Sequence, residues 1–170
     1  KIYGPKGVGA LYVRNGVEIE QLQHGGAQEF RKRAGTENVA GIVGFAKALE
    51  LACASSEVES KRLISLRDLM IEQLLSIPDS KLNGPVVERL ANNINISFQG
   101  VEGESVILYL NENGICASTG SACSSGSLEP SHVITALGQA EDLIHGSIRF
   151  TLGLESKESD VNMVVKLLPE

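Results

Sequence analysis

The stretch Ile94-Asn95-Ile96-Ser97-Phe98 decides how the second half of the chain folds. Apolar and polar side chains alternate in it, and this period of two is typical of a half-buried strand. Segments of helix type and strand type follow it in turn, and this order predicts an α/β domain. We predict a helix over residues 104–111, a short strand over 115–117, a helix from Pro130 to Gly138, a strand over 147–151 and a last helix capped by Ser156.

Weaker patterns precede this domain. The apolar residues 8–14 predict a buried strand. The polar, glycine-rich residues 24–38 predict a loop, and long loops of this kind often carry function. Apolar residues then follow a helical period. We predict one helix directly after the loop and a second one after Ser55-Ser56, which Pro78 stops.

Composition and charge exclude several classes of protein. The net charge of -6 argues against a nucleic-acid partner, which would need a basic surface. No uninterrupted apolar run approaches the roughly 20 residues that cross a bilayer, so we expect no membrane partner. The 3 cysteines lack a paired close spacing, which argues against a disulfide framework, and no His/Cys spacing fits a metal site. We therefore expect a cytoplasmic protein.

Cys123 is the side chain most suited to covalent chemistry. It lies within residues 117–127, where every neighbour is small and uncharged. Such a segment has backbone freedom and little surface to bury, so its thiol can move and reach. Most cysteines are buried and inert, which is our interpretation of Cys53 and Cys116. We interpret Cys123 as a nucleophile on a flexible tether, and the alternative is a surface thiol without a role.

Three other side chains are candidates for a site. Lys1 can form a Schiff base if its amine loses its proton, although spacing alone does not distinguish it from a surface charge. Thr36 stands where a helix is predicted to begin, and it is either the N-cap, the simpler interpretation, or part of an anion site. Arg149 lies in an otherwise apolar strand, as an ion-pair partner or as a clamp for a carboxylate.

Ordered motifs run through nearly the whole chain, and together they are specific where each alone would be weak. They are Lys1-Ile2-Tyr3-Gly4-Pro5-Lys6-Gly7-Val8-Gly9-Ala10-Leu11-Tyr12, His24-Gly25-Gly26-Ala27-Gln28-Glu29, Arg33-Ala34-Gly35-Thr36-Glu37-Asn38-Val39-Ala40-Gly41, Asn95-Ile96-Ser97-Phe98, Ser118-Thr119-Gly120-Ser121-Ala122-Cys123-Ser124-Ser125-Gly126-Ser127-Leu128-Glu129-Pro130-Ser131-His132-Val133 and His145-Gly146-Ser147-Ile148-Arg149-Phe150-Thr151-Leu152-Gly153. In these six motifs the chain resembles the cysteine desulfurases of the NifS/IscS type, within the class V aminotransferase family.

The resemblance implies a pyridoxal 5′-phosphate enzyme that removes sulfur from L-cysteine. It leaves L-alanine and an enzyme-bound persulfide, which supplies iron–sulfur cluster assembly or thio-modification. By position, Lys1 matches the lysine that holds the cofactor, Cys123 the nucleophile that carries the persulfide, and Arg149 the residue that binds the substrate carboxylate. Thr36 matches a residue that reaches the cofactor phosphate of the partner subunit, which implies a homodimer. The implied partner is a sulfur-acceptor protein such as an iron–sulfur scaffold.

The resemblance also implies a fold, the C-terminal portion of a fold-type I enzyme. Residues 1–56 would be the end of the large cofactor-binding domain with a linking helix, and residues 57–170 the small C-terminal α/β domain that bears the cysteine loop. The family's cofactor-stacking histidine, the aspartate that pairs with the pyridine nitrogen and most phosphate ligands precede the lysine. We therefore expect this chain to be part of a larger enzyme, or an incomplete remnant, and inactive by itself.

Two other functions stay open at this point. The chain would serve another fold-type I enzyme, such as an aminotransferase or lyase, if Cys123 has no role. It would be a non-catalytic sulfur carrier or interaction module if it accepts and passes on sulfur without releasing alanine. Replacement of Cys123 by serine separates a desulfurase from a transaminase.

Overall fold

The computed structural model describes residues 1–119 and 131–169. The chain divides into two compact units, Lys1–Ser56 and Glu57–Glu170, which are described separately here. The helices are α1 Gln28–Arg31, α2 Val39–Leu74, α3 Gly103–Glu112, α4 His132–Ala136, α5 Glu141–Ile144 and α6 Glu158–Leu167, and the strands are β1 Ser80–Leu82, β2 Asn93–Phe98 and β3 Ser147–Thr151.

The second unit is built on a three-stranded antiparallel sheet in the order β1-β2-β3. Its central strand is the predicted alternating stretch, and Ile96 of β2 pairs with Leu82 of β1 and with Ile148 of β3. The predicted strand over 147–151 is β3, so both of these strand predictions are confirmed. Because paired residues share a face, the sheet has one apolar and one polar side.

The hydrophobic core lies on the apolar side of this sheet. Helices α2, α3 and α6 supply the side chains that cover it, which gives the α/β arrangement predicted for this part. Each fully buried aliphatic side chain stabilises the fold by about 1.5–3 kcal/mol relative to its exposed state. The buried members are Met70, Ile71, Leu74, Ile94, Ile96, Phe98, Leu110, Ile148, Phe150, Val161 and Val164.

Helix α2 is continuous through Ser55-Ser56, so the prediction of two separate helices was wrong. The Ser55 hydroxyl donates to the carbonyl of Leu51 at 3.1 Å, and the Ser56 hydroxyl donates to that of Cys53 at 3.1 Å. Serine hydroxyls compete with helix formation only when they bond the backbone in another conformation. Here they bond back into the preceding turn, and the helix continues to Leu74.

One described helix, α2, is long and apolar enough to cross a membrane by length and composition alone. The expectation drawn from the sequence was too narrow, because it counted only uninterrupted apolar residues. Lys47 and Glu50 interrupt this stretch and form an ion pair at 2.8 Å. Little of the stretch is buried. A single helix of this kind is weak evidence for a membrane span, since core helices of other proteins pass the same test.

In the first unit, the predicted buried strand over residues 8–14 is absent from the described structure. A strand needs a neighbour that accepts and donates its backbone hydrogen bonds. Within the described residues of this unit no strand lies alongside it, and Leu11 and Tyr12 are 77% and 87% exposed. The prediction of a buried strand over residues 8–14 was therefore wrong. The element α1 is a left-handed turn, with φ of 48°, 55° and 63° at Glu29, Phe30 and Arg31.

Two boundaries in the second unit differ from the predictions. Residues 115–117 form no strand, and a single bridge between Ser118 and Arg149 takes its place. The Ser156 hydroxyl accepts a bond from the Gly153 amide at 2.9 Å, so Lys157 occupies the N-cap position of α6 instead. Helix α4 ends at Ala136 with Leu137 as its C-cap, so Gly138, with φ of 71°, lies just past the helix, at the C′ position that the sequence predicted for it. Pro130 lies outside the described residues.

Candidate functional site

The segment that begins with Lys1 lies against helix α2 through small residues. A Cβ atom on Gly4 would come within 3.2 Å of the Ala48 Cβ, and one on Gly44 within 3.0 Å of the Pro5 Cγ. These distances are tighter than most real contacts, so a side chain at either glycine would require its neighbour to shift by a few tenths of an ångström. Lys1 itself is exposed. The close approach fixes the segment from which its amine extends.

Thr36 is not the N-cap of helix α2. That position belongs to Asn38, whose Oδ1 atom accepts a bond from the Gly41 amide at 3.1 Å, and whose carbonyl accepts one from Ile42. An asparagine side chain bonded to the third helical amide is a preferred cap. The simpler interpretation of Thr36 was therefore wrong, and its exposed hydroxyl is not used to cap the helix.

Gln28 joins the two glycine-rich motifs of the first unit, and the sequence analysis gave it no role. Its Oε1 atom accepts a bond from the Gly35 amide at 3.1 Å. A Cβ on Gly26 would lie within 3.0 Å of this side chain, which explains the glycine there. A second bond, from the Ala34 amide to the Gln23 carbonyl, closes the same loop at 3.3 Å. The one sequence signal for a role of Gln28 was its position within the motif that runs from His24 to Glu29.

Arg149 lies on the polar face of the sheet, in β3. Its cross-strand partner is Asn95 of β2, so the two side chains are neighbours on that face. The Arg149 side chain is half-buried, and among the described residues it has no hydrogen-bond or ion-pair partner. The interpretation of Arg149 as a structural ion-pair partner thus finds no support in the described part of the chain. A guanidinium of this kind can bind a carboxylate with two parallel hydrogen bonds.

Arg149 lines a cavity of about 660 Å³ within the second unit. The described lining includes two arginines and a histidine but no carboxylate, although the whole chain has a net charge of -6. A cavity with this charge attracts anions. Its lining residues are Asn83, Gly84, Pro85, Arg89, Leu90, Asn93, Asn95, Ser131, His132, Val133, Ile134, Leu137 and Arg149.

Arg89 lines this cavity and bonds the loop on one side of it, and no sequence pattern pointed to this residue. Its guanidinium donates to the carbonyls of Asn83, Pro85 and Asn93. Burial lowers the pKa of Arg89, and the positive charge of Arg67 lowers it further. The guanidinium of Arg89 thus has three backbone carbonyls as acceptors. A sequence pattern cannot predict such partners, because every residue has a backbone carbonyl.

Cys123, the predicted nucleophile, lies outside the described residues. Described residues before and after the segment that contains Cys123 are related to Arg149. Ser118 pairs with the Arg149 backbone, and Ser131 lines the cavity with it. Cys53 and Cys116, which we expected to be packed, are both free and exposed.

The predicted residues fall into two groups. Lys1 and Thr36 belong to the first unit, and Arg149 belongs to the second. Within the described residues, no group of three or more His, Cys, Asp or Glu side chains is placed to hold a metal ion.

Comparison with known proteins gives a consistent result. The chain is 58% identical to the cysteine desulfurase IscS of Methanosarcina thermophila over 167 residues, which is 98% of this chain but 41% of that protein. A solved NifS-like protein superposes with a TM-score of 0.86 at 33% identity, over 97% of this chain and 42% of its own. A structure described as SspA in complex with cysteine has a TM-score of 0.62 at 32% identity, over 89% and 41% of the two chains.

These comparisons confirm the predicted fold and the predicted family. The chain spans about two fifths of the length of the relatives that it matches. The NifS-like neighbours share its α/β arrangement. Residues 1–164 match the family described as aminotransferase class-V. The protein therefore belongs to the class-V aminotransferase family.

Proposed function

We propose that this chain serves a cysteine desulfurase, an enzyme that converts L-cysteine to L-alanine and keeps the sulfur as a persulfide on Cys123. The observation that carries the proposal is the pairing of Ser118 with Arg149 beside a cationic cavity. The chain that leads to the thiol thus starts at the proposed carboxylate clamp. The similarity to proteins named cysteine desulfurase supports the same activity.

Sequence separation limits how far Cys123 can lie from this clamp. Cys123 lies five positions after Ser118 in the sequence (123 − 118). An extended chain spans at most about 3.3–3.6 Å per residue, so the two Cα atoms are within roughly 18 Å of each other. A thiol on such a tether can reach a substrate at Arg149 and also extend away from it, which sulfur transfer requires.

The expected cofactor is pyridoxal 5′-phosphate, and the residues present fit part of it. Lys1 offers an amine to hold it, and the exposed Thr36 hydroxyl offers a donor for a phosphate oxygen. Residues 1–56 contain no aspartate, so no residue of that type in the first unit pairs with the pyridine nitrogen. When bound, the cofactor supplies an electron sink. Lys1 and Thr36 are therefore the residues of the first unit that would hold the cofactor.

In the proposed reaction, side chains of this chain bind the substrate and accept its sulfur. Arg149 binds the substrate carboxylate and orients the molecule. The thiolate of Cys123 forms a bond to the substrate sulfur while the carbon–sulfur bond breaks. The carbon keeps the bonding pair and takes up a proton, which gives L-alanine. The sulfur stays on Cys123 as a persulfide, and no external oxidant or reductant is needed.

We also propose the setting of this reaction. The persulfide would pass to a sulfur-acceptor protein such as an iron–sulfur scaffold. Thr36 would reach the cofactor phosphate of a second copy, so that the enzyme is a homodimer. A cytoplasmic location agrees with the free, exposed thiols of Cys53 and Cys116, since unpaired cysteines persist in reducing compartments.

The test is mass spectrometry on the longest native form of the protein, incubated with pyridoxal 5′-phosphate and L-cysteine and then reduced with borohydride. We expect pyridoxyl mass on Lys1, added sulfur on Cys123 and released alanine. The variant Cys123→Ser should lose the persulfide, and the matched variant Cys116→Ser should keep it. A pyridoxyl group on Lys1 together with transamination at the same rate in wild type and Cys123→Ser would overturn the proposal. Sulfur uptake without alanine release would instead indicate a carrier.

A further inference from the structure

The loop between β1 and β2, residues 83–92, has no helix or strand of its own, yet several of its carbonyl groups accept hydrogen bonds from arginine side chains. The guanidinium of Arg89 donates to Asn83, Pro85 and Asn93. That of Arg67, which is only 5% exposed, donates to the carbonyls of Leu90 at 3.0 Å and Arg89 at 3.4 Å. Carbonyls that are satisfied in this way hold an irregular loop in one conformation.

The same loop is connected to the cross-strand partner of Arg149. Asn83 is buried, and its amide group donates to Asn95 Oδ1 at 2.6 Å and to Ser97 Oγ at 2.8 Å. The Asn83 backbone amide donates to the Asn95 carbonyl at 2.9 Å. Two bonds therefore fix Asn95 relative to the loop, and Asn95 faces the cavity beside Arg149.

Asn83 also reaches the chain segment that follows α4. Its Oδ1 atom accepts a bond from Gln139 Nε2 at 2.6 Å. This segment follows Ser131, which lines the cavity. One buried amide thus connects the loop, the central strand and the chain that returns to the cavity. Every polar group of Asn83 is hydrogen-bonded, whereas the buried Oε1 atom of Gln139 has no partner among the described residues. The satisfied part of this network, from Arg89 through Asn83 to Asn95, rigidifies the groups that it joins.

We propose that Arg89 is a positioning residue for carboxylate recognition at Arg149, acting through Asn83 and Asn95. The inference rests on the proposed role of Arg149. Because the Arg149 side chain has no partner among the described residues, the walls around it determine its orientation. Arg89 bonds two carbonyls of the loop, those of Asn83 and Pro85, and joins them to the carbonyl of Asn93 at the start of β2. A lysine ammonium group on one flexible stem does not reproduce these three bonds.

The chain offers a matched control for this role. Arg62 also donates to three backbone carbonyls, those of Gly153, Leu154 and Ser156, and so closes the loop between β3 and α6. It lies in the same unit as Arg89 but does not line the cavity. Arg89→Lys and Arg62→Lys both keep the charge and remove hydrogen bonds to backbone carbonyls, but only Arg89 lines the cavity. Arg62 also forms an ion pair with Glu59 at 2.8 Å, so its variant perturbs that contact in addition.

A second pair of variants, one in this loop and one outside it, leaves every charged residue in place. Gly84 lies in the loop with φ +80°, and Gly100, which does not line the cavity, has φ +70°. Alanine strains both positions to a similar degree, since L side chains rarely adopt this conformation. Gly84→Ala and Gly100→Ala thus distinguish a shift of the cavity wall from a general loss of stability.

The experiment measures kcat and KM for L-cysteine and the Kd for L-alanine, with the longest native form of the protein and its cofactor. A misplacement near 1 Å can cost up to about 100-fold, so we expect KM and Kd to rise about tenfold in Arg89→Lys and Gly84→Ala. The value of kcat should change less than about twofold, and Arg62→Lys and Gly100→Ala should leave KM and Kd within about twofold of wild type.

Two outcomes overturn the inference. One is that Arg89→Lys and Gly84→Ala change KM and Kd no more than their controls do. The other is that wild-type protein shows no saturable binding of L-alanine. If wild type binds L-alanine but converts no L-cysteine, the proposed function fails, while the Kd values still decide the role of Arg89.

Discussion

The backbones of Ser118 and Arg149 are hydrogen-bonded to each other in both directions. The Ser118 amide donates to the Arg149 carbonyl at 3.1 Å, and the Arg149 amide donates to the Ser118 carbonyl at 2.6 Å. Ser118 precedes the segment that carries Cys123, and Arg149 is the proposed carboxylate clamp. The backbone thus joins Arg149 to a residue that lies five positions before the proposed nucleophile (123 − 118), although Ser118 and Arg149 are 31 positions apart in the sequence (149 − 118).

Removal of the Ser118 donor should therefore weaken sulfur transfer. The variant Ser118→Pro lacks the amide hydrogen and leaves the Arg149 carbonyl without this bond, which costs about 1–3 kcal/mol. We expect persulfide formation on Cys123 to slow about tenfold, since the start of its tether is less well fixed. Single-turnover mass spectrometry measures this rate. The control Ser118→Ala keeps both backbone bonds, and equal rates in the two variants would contradict the argument.

The Arg149 guanidinium should matter for substrate binding far more than for stability. Hydrogen bonds to charged groups contribute about 1.5–3 kcal/mol each, so Arg149→Gln should raise KM for L-cysteine by about 100-fold. Arg149→Lys keeps the charge but loses the bidentate geometry, and about a tenfold rise is expected. Urea denaturation should show a change in unfolding free energy within about 0.5 kcal/mol. Severe destabilisation with unchanged KM would favour a structural ion pair instead.

Sequence patterns predicted the parts of the second unit that depend on local alternation. Strand β2 and its partner β3 follow from period-two burial, and α3 follows from its apolar spacing. Helix caps were less predictable. Asn38 caps α2 in place of Thr36, because both residue types are good caps and only the folded backbone decides between them.

The parts that escaped prediction depend on contacts between distant residues. The strand expected over 8–14 needs a neighbouring strand, which no pattern within those residues can supply. Arg89 donates to backbone carbonyls and Gln28 accepts from a backbone amide, and backbone partners leave no mark in a sequence because every residue has them. Lys1, Thr36, Cys123 and Arg149 were identified as a set through resemblance to a family, and their roles stay predictions.

The continuity of helix α2 gives a prediction about Ser56. Proline in a helix interior removes an amide donor and clashes with the preceding turn, at a cost of about 3 kcal/mol or more. If α2 is one helix, Ser56→Pro should lower the unfolding free energy by this amount and reduce the helical circular dichroism signal. Ser56→Ala should be neutral or slightly stabilising, since alanine favours the helix and the hydroxyl bond to Cys53 is exposed. Tolerance of the proline would favour two helices with a break between them.

The centre of the sheet gives the strongest prediction for stability. Ile96 is fully buried between its strand partners Leu82 and Ile148, and its truncation leaves a cavity that the surrounding helices fill only in part. We expect Ile96→Ala to lower the unfolding free energy by about 2–5 kcal/mol, as measured by urea denaturation. Leu108 on α3 is 66% exposed, and Leu108→Ala should change it by no more than about 0.5 kcal/mol. Similar losses in both variants would mean that the core does not lie on this face of the sheet.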